Sequence, residues 1–190
     1  MTAVPGRRLA ALLAMLCGCA SLHKELVAMS EADQKVRQEL IAAGLEHPDA
    51  KIAARMANID ARNTARIKAV ILGQGWPKRS AVGEDGATAA FLLVQHADQD
   101  PDFQRQALPL LRAAYEANEA SAEHLALLTD RVLAAEGKPQ LYGTQADIDE
   151  GKIVVKPVED PGNLDKRRAE LGLPPMAEYL ELMRKVYRLP

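Results

Sequence analysis

Apolar residues recur at spacings of three and four along most of the chain, which is the period of an amphipathic α-helix. In the first such segment the apolar positions run from Leu22 to Leu40, and Gly44 and Pro48 end the pattern. A second segment begins near Pro48 and ends at "GQGWP", where two glycines and a proline cannot continue a helix. The two segments predict an antiparallel helical hairpin.

Three further helices are predicted before Gly137. The third covers about Ala87–Ala97, and its run "AAFLLV" is apolar on every side, which predicts a buried helix. The fourth begins at "DPDF", where Asp100 is the N-cap and a proline occupies the first helical position. The fifth starts at Ser121 and is ended by Gly137.

The character of the chain changes after Gly137. The stretch "PQLYGTQADIDEGKIVVKPVEDPG" places β-branched residues around a "DEGK" turn and predicts a small β-hairpin, followed by short helices near 163–171 and 175–187. We therefore predict a mainly α fold, a single helical domain of about six to seven helices with a small β-hairpin between the fifth helix and the C-terminal helices. The composition agrees, because aromatic residues are only 4% of the 190-residue chain.

The first nineteen residues, "MTAVPGRRLAALLAMLCGC", form a separate unit. Arg7 and Arg8 precede an apolar run that is too short to span a bilayer, an arrangement typical of a secretion signal. The ending "LCGC" resembles the bacterial lipobox, in which cleavage before the cysteine exposes it for acylation. An ordinary signal peptide with an incidental cysteine is the alternative. We predict lipidation at Cys19.

This interpretation divides the chain into a lipoprotein signal peptide at 1–18, a mobile lipidated tether at 19–24 and a single helical domain at 25–190. Ala20 is not the aspartate that commonly retains such lipoproteins at the inner membrane. We therefore expect outer-membrane attachment facing the periplasm, with the lipid as the membrane contact. Nucleic acid is not an expected partner, because the net charge is −2 and no basic cluster is present. Both cysteines lie in "CGC", so the mature fold has no free thiol.

Polar residues occupy positions that the helical spacing assigns to the core. Asp33 interrupts the apolar ladder of the first helix, and Arg37 follows four residues later. Asn63 interrupts the second ladder, while Gln95 and His96 end the apolar third helix. Because burying such groups without partners costs several kcal/mol, we expect them to bond to one another. The outcome is either a structural network or a ligand site.

The stretch "QHADQDP" contains candidate chemistry around His96. Asp98 and Asp100 are sufficiently explained by capping of the next helix, whereas His96 is a candidate general base or a bonded core residue. No second histidine stands at metal-ligand spacing, so we predict no metal site, and no motif predicts a cofactor. The remaining histidines are expected at the surface: His23, His47 and His124.

Several stretches together resemble one known family: "DQKVR", "IDARNTARIK", "GWPKRSAVG", "LLVQHADQDPDFQ", "TDRV", "GKPQLYGTQ", "PVEDPGNLDKRRAELGLPP" and "EYL". It is the bacterial family catalogued as domain of unknown function 6624, and the similarity covers about residues 25–182. The resemblance implies kinship but no known activity. Its recurring polar positions correspond to Asp33, Gln34, Arg37, Asp60, Asn63, Gln95, His96, Asp130, Arg131, Gln140, Tyr142, Gln145, Glu159, Asp160, Asp165, Arg167 and Arg168.

We expect a polar pocket that binds a small polar or anionic ligand, with the segment "QLYGTQ" closing over the first three helices. Gly143 in that segment permits close backbone approach. The predicted ligand-binding residues are Arg37, Asn63, Gln95, Asp130, Tyr142, Gln145 and Arg168. An envelope hydrolase is the alternative, in which His96 is the general base and Asp33 orients it. A structural or protein-assembly lipoprotein without a ligand site is the second alternative.

Overall fold

The computed structural model describes the backbone of residues 6–44 and 49–189 and the side chains of residues 20–44 and 49–189. Seven α-helices and one β-hairpin follow one another: α1 Gly6–Ala43, α2 Ala50–Gln74, α3 Arg79–Gln95, α4 Pro101–Glu116, α5 Ala122–Ala135, β1 Ala146–Asp149, β2 Lys152–Val155, α6 Leu164–Glu170 and α7 Met176–Tyr187, with a 3₁₀ turn at Pro161–Asn163. The prediction of a mainly α single domain with a hairpin after the fifth helix is confirmed.

The helix starts follow local capping chemistry. The carboxylate of Asp49 accepts hydrogen bonds from the backbone N–H groups of Lys51 and Ile52 at the start of α2. Asp100 accepts from the N–H of Phe103 at 3.0 Å, and Ser121 caps α5 in the same way. The predicted starts of α4 and α5 are therefore confirmed.

The helices α1 and α2 form the predicted antiparallel hairpin. The ion pair between Glu25 and Arg66 lies towards one end of the pair, and the ion pair between Glu39 and Arg55 lies towards the other. As the residue number rises along α1, the partner's number falls along α2, so the two helices run in opposite directions. Both helices also pack against α3.

Two element boundaries differ from the sequence expectation. α3 begins at Arg79 rather than near Ala87, because its polar first turns carry no apolar ladder and include a kink at Gly83, where φ is 75°. Residues 20–24, expected to be a mobile tether, lie within α1. There Leu22 packs against the core, and His23 is hydrogen bonded to Asp85 at 2.9 Å. Packing against α3 extends the ordered helix towards the N-terminus.

The N-terminal predictions fall largely outside the described residues. The structure does not describe residues 1–5 or any side chain up to and including that of Cys19. The signal peptide and the lipidation therefore remain predictions. The backbone of residues 6–19 continues α1. In the part of the chain that the structure describes, no helix is both long enough and apolar enough to cross a membrane.

The core is centred on α3. Phe91, Leu93 and Val94 are almost completely buried, as the apolar run predicted, and they belong to one cluster with residues of α2, α4 and α5. The expectation for His124 is wrong: its ring stacks on Phe91, with centroids 4.0 Å apart and planes 6° from parallel. Burial lowers the pKa of His124 to about 4.

The C-terminal third attaches to this core through α5. β1 and β2 are antiparallel, and Ile148 lies opposite Ile153. Both turn residues, Glu150 and Gly151, have positive φ, as two-residue hairpin turns require. α6 and α7 follow, and α7 contains no buried residue.

Candidate functional site

A group of polar side chains joins the first three helices; we name it the Asp33 cluster, and its members are Asp33, Arg37, Asp60 and His96. Asp33 of α1 has no exposed surface. Its carboxylate lies 2.8 Å from Nδ1 of His96, and it accepts a hydrogen bond from Nε of Arg37 at 3.2 Å. Burial alone raises the pKa of Asp33, but the bond from His96 and the charges of His96 and Arg37 outweigh it and lower the pKa overall.

Arg37 is almost saturated by this cluster. Its Nη2 donates to the carboxylate of Asp60 at 2.7 Å, and its Nη1 lies 3.2 Å from the sulfur of Met56. Burial raises the pKa of Asp60, and the positive charge of Arg37 offsets only part of that effect. Arg37 therefore has little capacity left to bind an anionic ligand.

His96 faces Asp33 with one nitrogen and leaves the other available. Nε of Arg37 lies 3.0 Å from Nδ1 of His96, but Nδ1 cannot donate to Asp33 and accept from Arg37 at once. Because the contact with the buried carboxylate is the shorter of the two, we place a proton on Nδ1 and let it donate to Asp33. Nε2 makes no hydrogen bond within the described residues, and the side chain is 14% exposed. The prediction that Asp33, Arg37 and His96 lie together agrees with this geometry.

Asn63 lies near the cluster without joining it. No hydrogen bond among the described residues connects Asn63 to Asp60 or Asp33. Asn63 instead lines a shallow groove between α1 and α2 together with Met29 and Ile59. Its Nδ2 atom is buried and has no partner in the described part of the chain.

The side chains of His96, Asp98 and Asp100 in "HADQD" point to three different partners. His96 bonds to Asp33, whereas Asp98 accepts from Nη1 of Arg131 at 2.5 Å. Asp100 caps α4 and also accepts from Lys68 at 2.5 Å. The stretch is therefore a junction between helices. Among the residues that the structure describes, no group of three His, Cys, Asp or Glu side chains is placed to hold a metal ion.

Asp130 of α5 holds the segment "QLYGTQ" by its backbone. The buried carboxylate accepts hydrogen bonds from the N–H groups of Leu141 at 2.7 Å, Tyr142 at 3.1 Å and Thr144 at 2.9 Å. The hydroxyl of Thr144 donates to the same carboxylate at 2.9 Å. Burial raises the pKa of Asp130, although these bonds favour its charged form. Asp130 is thus fully engaged in shaping this loop.

Arg168 and Gln140 hold the same segment from other sides. Nη1 of Arg168 donates to the carbonyl of Tyr142 at 2.6 Å, and Nε donates to the carbonyl of Pro174 at 2.7 Å. The amide of Gln140 bonds to both the N–H and the C=O of Gln145. We name residues 140–145 the braced loop. Burial lowers the pKa of Arg168, which is only 1% exposed.

The expectation of one pocket under the first three helices differs from the structure. The braced loop packs on α5 and α6 instead of closing over α1, because the buried carboxylate of Asp130 binds its N–H groups. No hydrogen bond among the described residues joins His96 to Tyr142 or Gln145. The predicted site residues therefore divide between the Asp33 cluster, the braced loop with the residues that hold it, and a groove beside that loop, while Asn63 lies apart in the groove between α1 and α2.

This groove, which we name the α5–α7 groove, lies between α5, the braced loop and α7. It contains two cavities of about 300 and 220 Å³, and both are lined by Leu127, Thr144, Tyr179 and Leu182. The smaller cavity is its polar end, lined by Gln95, Arg131 and Gln145. The larger cavity is its apolar end, lined mainly by Ala122, Ala126, Leu171, Leu173 and Pro174, with Glu123 and Arg168 as the charged lining residues. Three predicted ligand-binding residues thus line one groove: Gln95, Gln145 and Arg168.

Two buried polar atoms at the polar end have no hydrogen-bond partner among the described residues. They are Oε1 of Gln95 and Nε of Arg131. Nη1 of Arg131 is bound to Asp98, but Nε and Nη2, which form the other edge of the guanidinium, donate no bond there. Arg131 was not among the predicted ligand-binding residues, although it was one of the positions implied by the family resemblance.

The tyrosine of α7 completes the groove opposite α5. The hydroxyl of Tyr179 donates to the carbonyl of Thr144 at 3.3 Å, and its ring lies 4.8 Å from the guanidinium of Arg168. Partial burial raises the pKa of Tyr179 to about 12. Sequence analysis included this residue only in the family stretch "EYL" and did not assign it to the site, since a tyrosine on a short amphipathic helix resembles a packing residue.

Comparison with known proteins gives a family but no activity. A family model described as "Family of unknown function (DUF6624)" matches residues 20–190, which is nearly the whole chain. No curated protein and no solved structure matches the chain significantly. The expectation drawn from the polar motifs is confirmed, and the chain belongs to the DUF6624 family, a family of unknown function.

Proposed function

We propose that this protein is a lipid-anchored, periplasm-facing domain that binds a small anionic ligand at the polar end of the α5–α7 groove. The observation that carries this proposal is the pair of unpartnered buried atoms, Oε1 of Gln95 and Nε of Arg131, which belong to two residues that line the same cavity. A buried polar atom without a partner costs about 1–3 kcal/mol. An anion that accepts a hydrogen bond from Nε of Arg131 removes the cost of that atom. The amide of Gln95 contributes when it is turned by 180°, so that Nε2 takes the place of Oε1 and donates to the same anion.

The free edge of Arg131 favours an anion. Asp98 occupies Nη1, and this leaves Nε and Nη2 side by side. Two parallel N–H groups on a guanidinium match the two oxygens of a carboxylate or phosphate, and such pairs bind with both geometric and charge complementarity. Gln95 adds an amide that can either accept from the ligand or donate to it.

The braced loop supports the same proposal, because it gives the groove a rigid side. Thr144 and Gln145 line the polar end, and both are held by Asp130 or Gln140 through short hydrogen bonds. Binding then costs little loop ordering, since the backbone is already held in one conformation. Ligand binding would thus explain why the fold buries the carboxylate of Asp130 beneath the braced loop.

Titration of the purified protein with acetate and with inorganic phosphate tests the proposal. Amide chemical shifts of Gln95, Gln145 and their neighbours are expected to move with saturation. Arg131→Gln is expected to weaken binding at least tenfold, while Arg105→Gln, at an exposed arginine of α4, leaves it unchanged. Equal affinity in the two variants, or no saturable binding of either anion, would contradict the proposal.

The membrane anchor is a separate part of the proposal and rests on "LCGC". Metabolic labelling with a fatty-acid analogue is expected to mark the protein, and Cys19→Ser is expected to abolish the label. Labelling that persists in Cys19→Ser, or recovery of the protein in the cytosol, would refute the lipoprotein interpretation. Separation of inner and outer membranes would then test the expected outer-membrane location.

A second candidate function is hydrolysis with His96 as the general base. One observation favours it: Nδ1 of His96 faces the buried carboxylate of Asp33 at 2.8 Å, and Nε2 makes no hydrogen bond within the described residues. A carboxylate behind an imidazole fixes its tautomer and supports proton uptake at the other nitrogen.

His96→Ala distinguishes catalysis from a purely structural cluster. If His96 is a base, the variant loses hydrolysis of simple test esters. The variant also loses about 1–3 kcal/mol of stability with either role, because the buried carboxylate of Asp33 loses a partner, so hydrolysis is compared per folded protein. Hydrolysis that is absent in the wild-type protein, or unchanged in the variant, would count against the catalytic candidate.

A further inference from the structure

We infer that the ligand of the α5–α7 groove is an amphipathic carboxylate, whose head binds at Arg131 and whose apolar chain extends to the apolar end. This inference rests on the function proposed above and adds the chemical class of the ligand. The two cavities share four lining residues, so they adjoin, and the inferred ligand follows a path through both. Their volumes, about 300 and 220 Å³, together lie within the range of about 300–1,000 Å³ typical of small-molecule sites.

The two ends of this path differ in chemistry. The polar end offers the free edge of Arg131 and the amides of Gln95 and Gln145. The apolar end is lined mainly by alkyl side chains, including Leu171, Leu173 and Pro174. A molecule that fits both ends must carry its charge at one end and hydrocarbon along the rest.

Arg168 lines the apolar end, yet it is a poor candidate for the head-group site. Its Nε and Nη1 already donate to the carbonyls of Pro174 and Tyr142, and its guanidinium lies over the ring of Tyr179. Two of the three donor nitrogens of Arg168 are thus used by the protein, whereas Arg131 keeps a whole edge, Nε and Nη2, without a bond to the described residues. This difference sets the direction of the ligand, with the head at Arg131 and the chain towards Leu173.

The apolar face of α7 provides independent support for the chain. Leu182 lines both cavities although 52% of its surface is exposed. Val186, on the same face of α7, lines the polar end and is 53% exposed. A hydrocarbon chain in the groove covers part of the apolar surface of Leu182 that α7 leaves open to water.

A series of straight-chain carboxylates tests this inference on the purified full chain. Butanoate, hexanoate, octanoate and decanoate are titrated below their micelle concentrations by calorimetry. Affinity is expected to rise about fourfold for each added methylene, which corresponds to about 0.8 kcal/mol per buried methylene, until the apolar end is full. Decanol, which has the chain but no charge, is expected to bind at least tenfold more weakly than decanoate.

Two variants separate the chain from the head group. Ala122→Trp places an indole in the apolar end and is expected to weaken decanoate at least tenfold while leaving butanoate unchanged. Ala113→Trp, at an exposed position of α4, is the matched control. Arg131→Gln is expected to weaken every carboxylate in the series. Leu182→Gln, at an exposed position that tolerates a polar side chain, repeats the chain test should Ala122→Trp fail to fold.

The possible failures are distinguishable. Affinity that does not rise with chain length, while Arg131→Gln still abolishes binding, overturns the amphipathic ligand and leaves the anion site intact. Decanoate that binds equally well to Arg131→Gln overturns the assigned head-group position. No binding of any carboxylate or of phosphate overturns both this inference and the function on which it rests.

Discussion

Acidification is expected to destabilise this fold through His124, the imidazole that stacks on Phe91 between α3 and α5. Burial lowers the pKa of His124 from 6.5 to about 4, although the charge of Glu84 acts in the opposite direction. The unfolded chain therefore takes up a proton on His124 before the folded chain does. The stabilising contribution is complete above pH 6.5 and is lost progressively as the pH falls towards 4.

The magnitude follows from the two pKa values of His124. A difference of one in pKa corresponds to about 1.4 kcal/mol, so the largest loss from this residue is about 3 kcal/mol. This loss is a considerable part of the free energy of unfolding of a small domain, which is typically roughly 5–15 kcal/mol. His124→Phe retains a flat ring against Phe91 but cannot be protonated, so its stability should lack this dependence.

Urea denaturation of the wild-type protein and of His124→Phe at pH 7.5, 6.0, 5.0 and 4.5 measures the effect. The other titrating groups, among them Asp33 and Asp60, are present in both proteins and cancel in the difference. That difference is expected to grow by about 2–3 kcal/mol in favour of the variant between pH 7.5 and 4.5. A difference that stays constant over this range would refute the assigned burial of the imidazole.

Two further predictions concern groups that the fold holds in fixed positions. Asp33→Asn removes the buried negative charge of the cluster and is expected to lower the free energy of unfolding by about 3–5 kcal/mol in urea denaturation. The control Glu25→Gln, which breaks the exposed pair with Arg66, is expected to cost less than about 1 kcal/mol. Equal losses in the two variants would contradict the central role of the cluster. Gly143→Ala is expected to lower the free energy of unfolding by about 1–3 kcal/mol, because φ at this position is +69°. The added Cβ would also lie 3.0 Å from the sulfur of Met176. An unchanged melting temperature would show that the loop adjusts freely.

The sequence predicted those features that depend on neighbours close in the chain. Asp100 and Ser121 cap helices whose N–H groups lie three residues away, so a short window of residues contains the whole interaction. The late predicted start of α3 has the same origin: its first turns lack apolar periodicity, and only packing against α1 makes them helical. Local patterns thus determined most elements and misplaced the ends that tertiary contacts determine.

The candidate site was predictable only in part. Asp33 and Asn63 were identified because a polar group on an apolar ladder needs a partner, and Asp33 found one in His96, 63 residues away. The roles of Asp130 and Arg168 could not be read in this way. Asp130 binds backbone N–H groups of the braced loop and Arg168 binds a backbone carbonyl. Every residue offers a carbonyl and every residue except proline an N–H group, so the sequence of that loop carries no sign of these partners.

The weak attachment of α7 has a consequence for motion. A helix without a buried residue can detach at a free-energy cost well below that of global unfolding, so its amides should exchange with solvent as a separate, early cooperative unit. The amides of the braced loop should exchange late, since the carboxylate of Asp130 holds them. Those of α5 should also exchange late, because that helix contributes buried residues to the core. The α7 side of the groove would then open more often than the side formed by α5 and the braced loop. The opening rate of α7 would set how fast a molecule enters or leaves the groove.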